Sequence, residues 1–243
     1  MATDFVQVDP VNGTPATEQT EVRSVYNRDN LYLGVICLDS EPDKWLGYQR
    51  RRHEFLSSDD RFMWTIDTFL DARSGYFSEM NPSGLMGDSL VGGGIDNRQW
   101  DGIWNARVHR SEIGWFIEVE IPFCSINFDP GSDRWGINFQ RTVRRKNEDS
   151  IWMGWARNQG VRRMTNAGLL TGISDVSQGL GLDVRPYALA TGASSPGRGK
   201  TGVSTNADAG VDVFYSPTPG LPHLPGPASA ASSTDRMVSA EAV

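Results

Sequence analysis

Two glutamates, two residues apart, are the first candidates for catalysis in this sequence. Glu118 and Glu120 lie in the run GWFIEVEIPF, whose alternating pattern predicts a β-strand. Because residues i and i+2 of a strand point the same way, their carboxyl groups would lie about 6.5–7 Å apart. Inverting glycosidases use a similar separation. Outward glutamates are also ordinary on an exposed strand, so a glycoside hydrolase is one alternative.

Other catalytic signatures are missing from the sequence. Ser57 and Ser58 lack a GxSxG elbow, no phosphate-binding glycine loop occurs, and the three His have no partner pattern. The sequence contains no CxxC pair, so nothing in it suggests a zinc site. A net charge of −7 disfavours a nucleic-acid partner, which would need a basic face. These observations favour a binding role over catalysis.

Aromatic residues are the second kind of candidate, because the chain has eight Trp. An aromatic face can stack on the C–H bonds of a pyranose ring, while polar side chains read its hydroxyls. Trp45, Tyr48 and Trp100 fall in predicted loops, where binding residues concentrate. Alternation assigns three other Trp to the core: Trp64, Trp115 and Trp135.

The run IWMGW contains two further Trp on opposite faces of a predicted strand. Trp155 shares its face with Ile151 and is predicted to point to the core. Trp152 lies on the other face, beside Gly154, with open space above it. Trp152 is therefore the better predicted platform for a sugar.

Carboxylates near the turns suggest a structural calcium ion as an alternative to no cofactor. Calcium takes oxygen ligands from loops, although no EF-hand spacing is present. Short acids also cap turns. The candidate ligands are Asp59, Asp60, Asp67 and Asp71.

Eight or nine strands with regular turn signals predict an all-β, antiparallel β-sandwich over residues 1–175. Residues 104–121 form the clearest hairpin, and 60–69 with 75–81 form another. The segment 39–58 predicts a short helix or an ordered loop. The glycine-rich segment 87–102 predicts a flexible loop. Cys37 and Cys124 lie in apolar runs, as two buried thiols or as a disulfide.

The pattern changes after residue 175. Residues 182–190 and 209–215 alternate like strands, with a polar Gly/Ser-rich loop over 192–206. Two strands alone are not stable in water. We therefore predict the start of a truncated domain over 176–216 and a low-complexity tail over 217–243. The sequence shows no signal peptide and no membrane-length apolar run.

Several motifs together resemble one bacterial family. They are GTPATEQTEVRSVYNRDNLYLGVICLDSEPD, DDRFMWTIDTFLDARSGYFSEMNPSG, WDGIW, GWFIEVEIPF and WGINFQRTVRRKNEDSIWMGW. The family is the periplasmic N-terminal domain, like a family-9 carbohydrate-binding module, of proteins that continue into an outer-membrane β-barrel. The resemblance covers residues 5 to about 215. The first family strand and the signal peptide are missing, so the resemblance predicts a fragment truncated at both ends, in which residues 176–216 are the start of a truncated barrel domain.

The resemblance implies a carbohydrate site built from two aromatic walls. Trp152 and Trp155 lie near the later wall and are followed by Arg157 and Asn158. Phe55 is nearest to the earlier wall. A Glu of the sugar-binding members is replaced by Met63, which departs from the family's pattern.

Three functions follow as expectations. The first is a non-catalytic module that binds an oligo- or polysaccharide in the periplasm or cell envelope. The second is a glycoside hydrolase acting on a plant-type polysaccharide. The third is a structural domain that contacts its parent outer-membrane barrel and binds no sugar.

Overall fold

A computed structural model describes residues 1–49, 54–157, 159–179, 182–197 and 200–215. The strands, in chain order, are β1 (Val6–Asp9), β2 (Thr20–Tyr26), β3 (Asn30–Leu38), β4 (Arg61–Asp67), β5 (Ser74–Met80), β6 (Met86–Gly92), β7 (Ile95–Asn97), β8 (Asn105–Ser111), β9 (Gly114–Pro122), β10 (Arg134–Val143), β11 (Glu148–Ile151), β12 (Gly168–Thr171), β13 (Leu182–Gly197) and β14 (Lys200–Tyr215). Short 3-10 helices span Pro42–Lys44, Leu56–Ser58, Phe123–Ser125, Arg144–Lys146 and Met164–Asn166.

Two antiparallel sheets form the sandwich. The small sheet has the order β2-β3-β9-β8. The large sheet has the order β1-β11-β10-β4-β5-β6-β7, and β12 also pairs with β10. The predicted all-β class is confirmed, and both predicted hairpins form, as β8–β9 and β4–β5.

The main core lies between the two sheets because each inner face alternates large apolar residues with outward residues. Trp64 of β4, Trp115 of β9 and Trp135 of β10 are buried in this core, as their strand positions predict. Trp64 packs edge-on against Trp104, with ring centroids 5.2 Å apart. This packing stacks the two sheets face to face.

A second, smaller core covers the outer face of the large sheet. Its buried members are Val8, Met63, Phe77, Ile151 and Val161. Val161 belongs to the loop after β11, whose backbone is tied to the sheet: the Thr65 hydroxyl donates to the Val161 carbonyl at 3.0 Å, and the Val161 N–H donates to Gln140 Oε1 at 3.0 Å. The large sheet is therefore covered by the small sheet on its inner face and partly by this loop on its outer face.

One strand lies in a turn-rich stretch of sequence, and one segment differs from its predicted structure. Val6–Asp9 is a strand, β1, although the turn-rich sequence around it hides the pattern. The predicted flexible loop over 87–102 contains the β6–β7 hairpin, whose turn is Gly93-Gly94. Both glycines have positive φ (59° and 80°), which a two-residue hairpin turn favours. The glycines thus order this segment into a hairpin.

A buried ion network joins the two sheets near the end of β10. The Arg145 guanidinium donates to both Asp39 oxygens, at 2.9 and 2.6 Å, and to Glu18 at 2.9 Å. Lys146 also pairs with Glu18, at 2.5 Å. Arg141, buried beside them, donates to the Leu38 carbonyl at 2.7 Å. The loops around β2 and β3 are thereby fastened to the large sheet.

β13 and β14 form a separate two-stranded sheet. They pair continuously from Leu182↔Tyr215 to Gly197↔Lys200. The predicted loop over 192–206 is therefore wrong for the described residues, which continue the two strands to Gly197 and from Lys200. The predicted tail over 217–243 lies outside the described residues. No helix in the described part of the chain is long and apolar enough to cross a membrane.

Both cysteines are free thiols. Cys37 is buried in β3, and burial raises the pKa of its thiol to about 11. Cys124 is exposed. The prediction of two buried thiols is therefore right for Cys37 and wrong for Cys124, which follows the end of β9.

Candidate functional site

A group of charged side chains lies on the outer face of the large sheet, beside the second core. We call it the charge cluster; its members are Arg61, Glu79, Asp96, Arg98 and Arg162. Glu79 belongs to β5 and stands between Met63 of β4 and Gly87 of β6. A Cβ at Gly87 would lie 3.2 Å from Glu79 Cγ, so a glycine leaves room for the carboxylate.

Glu79 is the centre of the charge cluster. One of its oxygens accepts from Arg61 at 2.9 Å and the other accepts from Arg98 at 2.7 Å. The Glu79 side chain is fully buried, and the two arginine side chains are 16% and 17% exposed. A buried carboxylate needs such partners, because removing a charge from water is costly.

Arg162 closes one side of the charge cluster. Its guanidinium carbon lies 3.6 Å from the centroid of the Phe77 ring, a cation–π contact. Its Nε is 3.5 Å from Asp96. Burial lowers the pKa of Arg162, partly offset by Asp96 and Glu79. The side chain is nevertheless 36% exposed, so part of it is accessible to a ligand.

Phe55 closes another side of the charge cluster. Its ring is 64% exposed, and the guanidinium carbon of Arg98 lies 4.1 Å from its centroid. The neighbouring residue Leu56 is fully buried, which anchors the ring's position. One face of Phe55 is thus supported by Arg98, while most of the ring remains open to solvent. Tyr48, from the same segment before β4, is 69% exposed.

Asp59 and Asp60 hold the segment before β4 in place. Asp59 accepts from Asn81 Nδ2 at 2.9 Å and from the Gln49 N–H at 3.0 Å. Asp60 accepts from the Leu46 N–H at 3.1 Å, and burial raises its pKa. The two carboxylates therefore serve as anchors for the loop that carries Phe55.

The predicted four-aspartate calcium site does not come together. Asp67 accepts from the Ala72 N–H at 2.8 Å, and Asp71 accepts from the Ser74 hydroxyl at 2.8 Å, as turn-capping acids do. The seven-residue strand β4 separates this pair from Asp59 and Asp60 by about 20 Å. Within the described ranges, no group of three or more His, Cys, Asp or Glu could hold a metal ion.

Alternation predicts that Trp155 points to the core and that Trp152 lies on the open face, and the structure shows the reverse. β11 ends at Ile151, so the alternation does not continue to Trp155, which is 49% exposed and packs beside Gly13. Trp152 is only partly exposed and packs against Phe139 of the main core, with ring centroids 5.7 Å apart. The structure does not bring Trp152 to Phe55, because Trp152 packs on the inner side of the large sheet.

The Trp152→Ala variant should lose stability rather than affinity for a ligand. A Cβ at Gly168 would lie 2.4 Å from the Trp152 ring, so the ring fills tightly packed space. We expect the free energy of unfolding to fall by about 2–3 kcal/mol, below the range for fully buried Trp. Urea unfolding followed by circular dichroism measures this. A variant with unchanged stability would contradict the packing role.

The remaining predicted sugar-binding residues are dispersed. Arg157 donates to the Pro10 carbonyl at 3.2 Å, near the exposed Trp155. Trp45 lies under Arg110, 4.7 Å from its guanidinium carbon. Trp100 packs against Tyr76, with centroids 5.1 Å apart. Asn158 lies outside the described residues.

A small apolar cavity lies beneath Trp100, between the two sheets. Its volume is about 10 Å³, and Tyr76 and Trp104 also line it. That volume holds one water at most. A pyranose ring cannot enter, so this aromatic cavity is not the sugar site.

Glu118 and Glu120 share the outer face of the small sheet, as their spacing predicts. Glu118 is exposed and lies opposite Gly34 and Arg107 in the strand register. Glu120 accepts from Asn105 Nδ2 at 3.1 Å and from the Tyr32 hydroxyl at 3.3 Å. Both carboxylates stand on a paired sheet surface, away from the charge cluster.

A solved structure with a TM-score above 0.5 agrees with this architecture, and a second neighbour falls just below that value. A candidate carbohydrate-binding protein from Bacteroides uniformis aligns with 70% of this chain and 86% of its own, at 13% identity and a TM-score of 0.55. A family 9 carbohydrate-binding module from Caldicellulosiruptor kristjanssonii, in complex with cellotriose, aligns with 71% of this chain and 84% of its own, at 11% identity and a TM-score of 0.49.

Sequence comparisons add nothing to the structural ones: no protein-family model matches the chain, and no curated protein matches it. At 13% identity, a structural likeness shows the fold alone. The chain therefore shares its β-sandwich fold with the Bacteroides uniformis protein.

Proposed function

We propose that the sandwich binds an oligo- or polysaccharide on the outer face of the large sheet, beside Phe55. The observation that carries this proposal is the exposed Phe55 ring, which Arg98 supports from one side and which stands next to the charge cluster. Sugar sites combine an aromatic face with a few fixed polar groups. Phe55 and the charge cluster supply both.

The polar part of this site is well ordered. Glu79 holds Arg61 and Arg98 through charge-assisted hydrogen bonds, so these guanidinium groups lose little freedom when a ligand arrives. The ring of Phe55 offers a flat apolar surface for the C–H face of a sugar. We propose that sugar hydroxyls approach the rim formed by Arg162.

We propose binding without cleavage. The alternative hydrolase pair, Glu118 and Glu120, stands on the small sheet, and Glu120 already accepts two hydrogen bonds from its neighbours. If the protein released reducing sugar, and Glu118→Gln or Glu120→Gln abolished that release, the hydrolase would replace the binding module.

Isothermal titration calorimetry of the full chain tests the proposed binding. The ligands are neutral cello-, xylo- and malto-oligosaccharides and acidic oligosaccharides of equal length, with Trp fluorescence as a second readout. We expect saturable heat with at least one series. No heat and no fluorescence change with any oligosaccharide, charged ones included, would remove the proposal.

A structural role in a cell-envelope protein is the second candidate, and the β13–β14 hairpin favours it. Its described side chains include four exposed apolar residues: Val184, Tyr187, Leu189 and Val211. An isolated two-stranded hairpin is at best marginally stable in water. We propose that a partner such as an outer-membrane barrel covers this hairpin. Hydrogen exchange of its amides should then slow in detergent micelles; equal exchange in buffer and micelles would contradict this role.

A further inference from the structure

The charge cluster contains more positive than negative charge. Its three guanidinium groups belong to Arg61, Arg98 and Arg162, and its two carboxylates belong to Glu79 and Asp96. Asp149, farther along the same face, is hydrogen-bonded to the Thr142 hydroxyl. The five members of the charge cluster therefore carry an excess of one positive charge, in a protein whose net charge is −7.

Arg162 is the least compensated of the three arginines. Both Glu79 oxygens are occupied by Arg61 and Arg98, at 2.9 and 2.7 Å. Arg162 has only Asp96, whose oxygen is 3.5 Å from Nε, and the Phe77 ring. Its Nε is buried with no hydrogen-bond acceptor among the described residues. A partly buried charge with incomplete pairing is costly, so an anionic ligand would relieve it.

Arg162 is also placed to act together with Phe55. Asp96 lies between Arg162 and Arg98, 3.5 and 3.9 Å from their Nε atoms, and Arg98 supports the Phe55 ring. These contacts therefore link the Phe55 ring to the Arg162 guanidinium across one face, through Arg98 and Asp96. Arginine recognises carboxylates and oxyanions through paired N–H donors.

We infer that the saccharide bound at this face is anionic, and that its carboxylate or sulfate ester pairs with Arg162 while a sugar ring stacks on Phe55. This inference rests on the proposed function and narrows it to acidic glycans. The protein's negative net charge repels anions in general. A preference for an acidic ligand must therefore come from local contacts.

Calorimetry with matched ligands tests the inference on the full chain. Oligogalacturonate is compared with its methyl ester, which has the same rings without the charge. We expect the free acid to bind about 10- to 100-fold more tightly, the range of a charged hydrogen bond. The preference should shrink as salt is raised from 50 to 500 mM. A sulfated galacto-oligosaccharide and its desulfated form distinguish sulfate from carboxylate recognition.

Variants of two neighbouring arginines provide the control. Arg162→Gln should abolish the preference for the charged form, and Arg162→Lys should keep part of it. Arg163→Gln removes the same charge one residue away on an exposed side chain and should keep the preference. Thermal unfolding of each variant confirms that it is folded.

Each outcome decides between the two ideas. Equal affinity for charged and neutral forms of both ligand pairs would overturn the inference and leave sugar binding intact. Equal losses of preference in Arg162→Gln and Arg163→Gln would also overturn it, since general electrostatics would then suffice. No binding of any ligand, charged or neutral, would remove the proposed function itself.

Discussion

The Phe55→Ala variant is expected to bind the saccharide about 10- to 100-fold more weakly than the unmodified protein, the equivalent of about 1.4–2.8 kcal/mol. The loss follows from removing the exposed ring on which we propose that the sugar stacks. Because the ring is 64% exposed, its removal should change the free energy of unfolding little. Calorimetry with the tightest ligand of the panel measures the change.

The matched control is Ile113→Ala, at the exposed turn between β8 and β9. It removes apolar surface of similar exposure on the small sheet, whereas the proposed site lies on the large sheet. It should therefore leave the dissociation constant for the saccharide unchanged. If Phe55→Ala and Ile113→Ala bound with the same affinity, the site beside Phe55 would have to be abandoned.

The Arg145→Met variant is expected to be less stable by about 3–5 kcal/mol, the cost of leaving buried partners of an ion pair uncompensated. Arg145 occupies both Asp39 oxygens and one Glu18 oxygen. Arg141 stays 3.6 Å from Asp39 and Lys146 stays on Glu18, which limits the loss. Urea unfolding followed by Trp fluorescence gives the free energy.

Arg163→Met is the control for that measurement. Its side chain is exposed, so we expect a change within about 0.5 kcal/mol. Similar stability of the two variants would show that the buried network contributes nothing beyond an ordinary surface arginine. Saccharide binding by Arg145→Met, measured where it is still folded, should equal that of the unmodified protein.

Local patterns predict the sandwich well, because its hairpins are short and strongly alternating. The run from Ala106 to Ile121 shows both the register of β8–β9 and its inward face. The same reasoning fails where a pattern is extended past the end of its strand. Trp155 belongs to a loop because β11 ends at Ile151, and its predicted burial was wrong for that reason.

The charge cluster is much harder to predict. Its members come from β4, β5, the β7 hairpin and the loop over 159–167, so no local window contains them. One signal was available: Glu79 shares a strand face with Phe77, and a carboxylate beside a buried aromatic requires a partner. Which arginines pair with Glu79 depends on the order of the strands in the sheet, and the alternation of apolar and polar residues does not reveal that order.

The contrast between the two thiols makes the fold observable by simple chemistry. The thiolate is the form that attacks an alkylating reagent, so the exposed Cys124 should react in every molecule, whereas Cys37, buried in β3 with a pKa of about 11, is shielded until the sheets separate. After brief exposure to iodoacetamide, a folded chain should carry one added label and an opened chain two. A mass spectrum would therefore give the fraction of chains in each state. The same count could follow each variant described above without a fluorescent dye or an added tag.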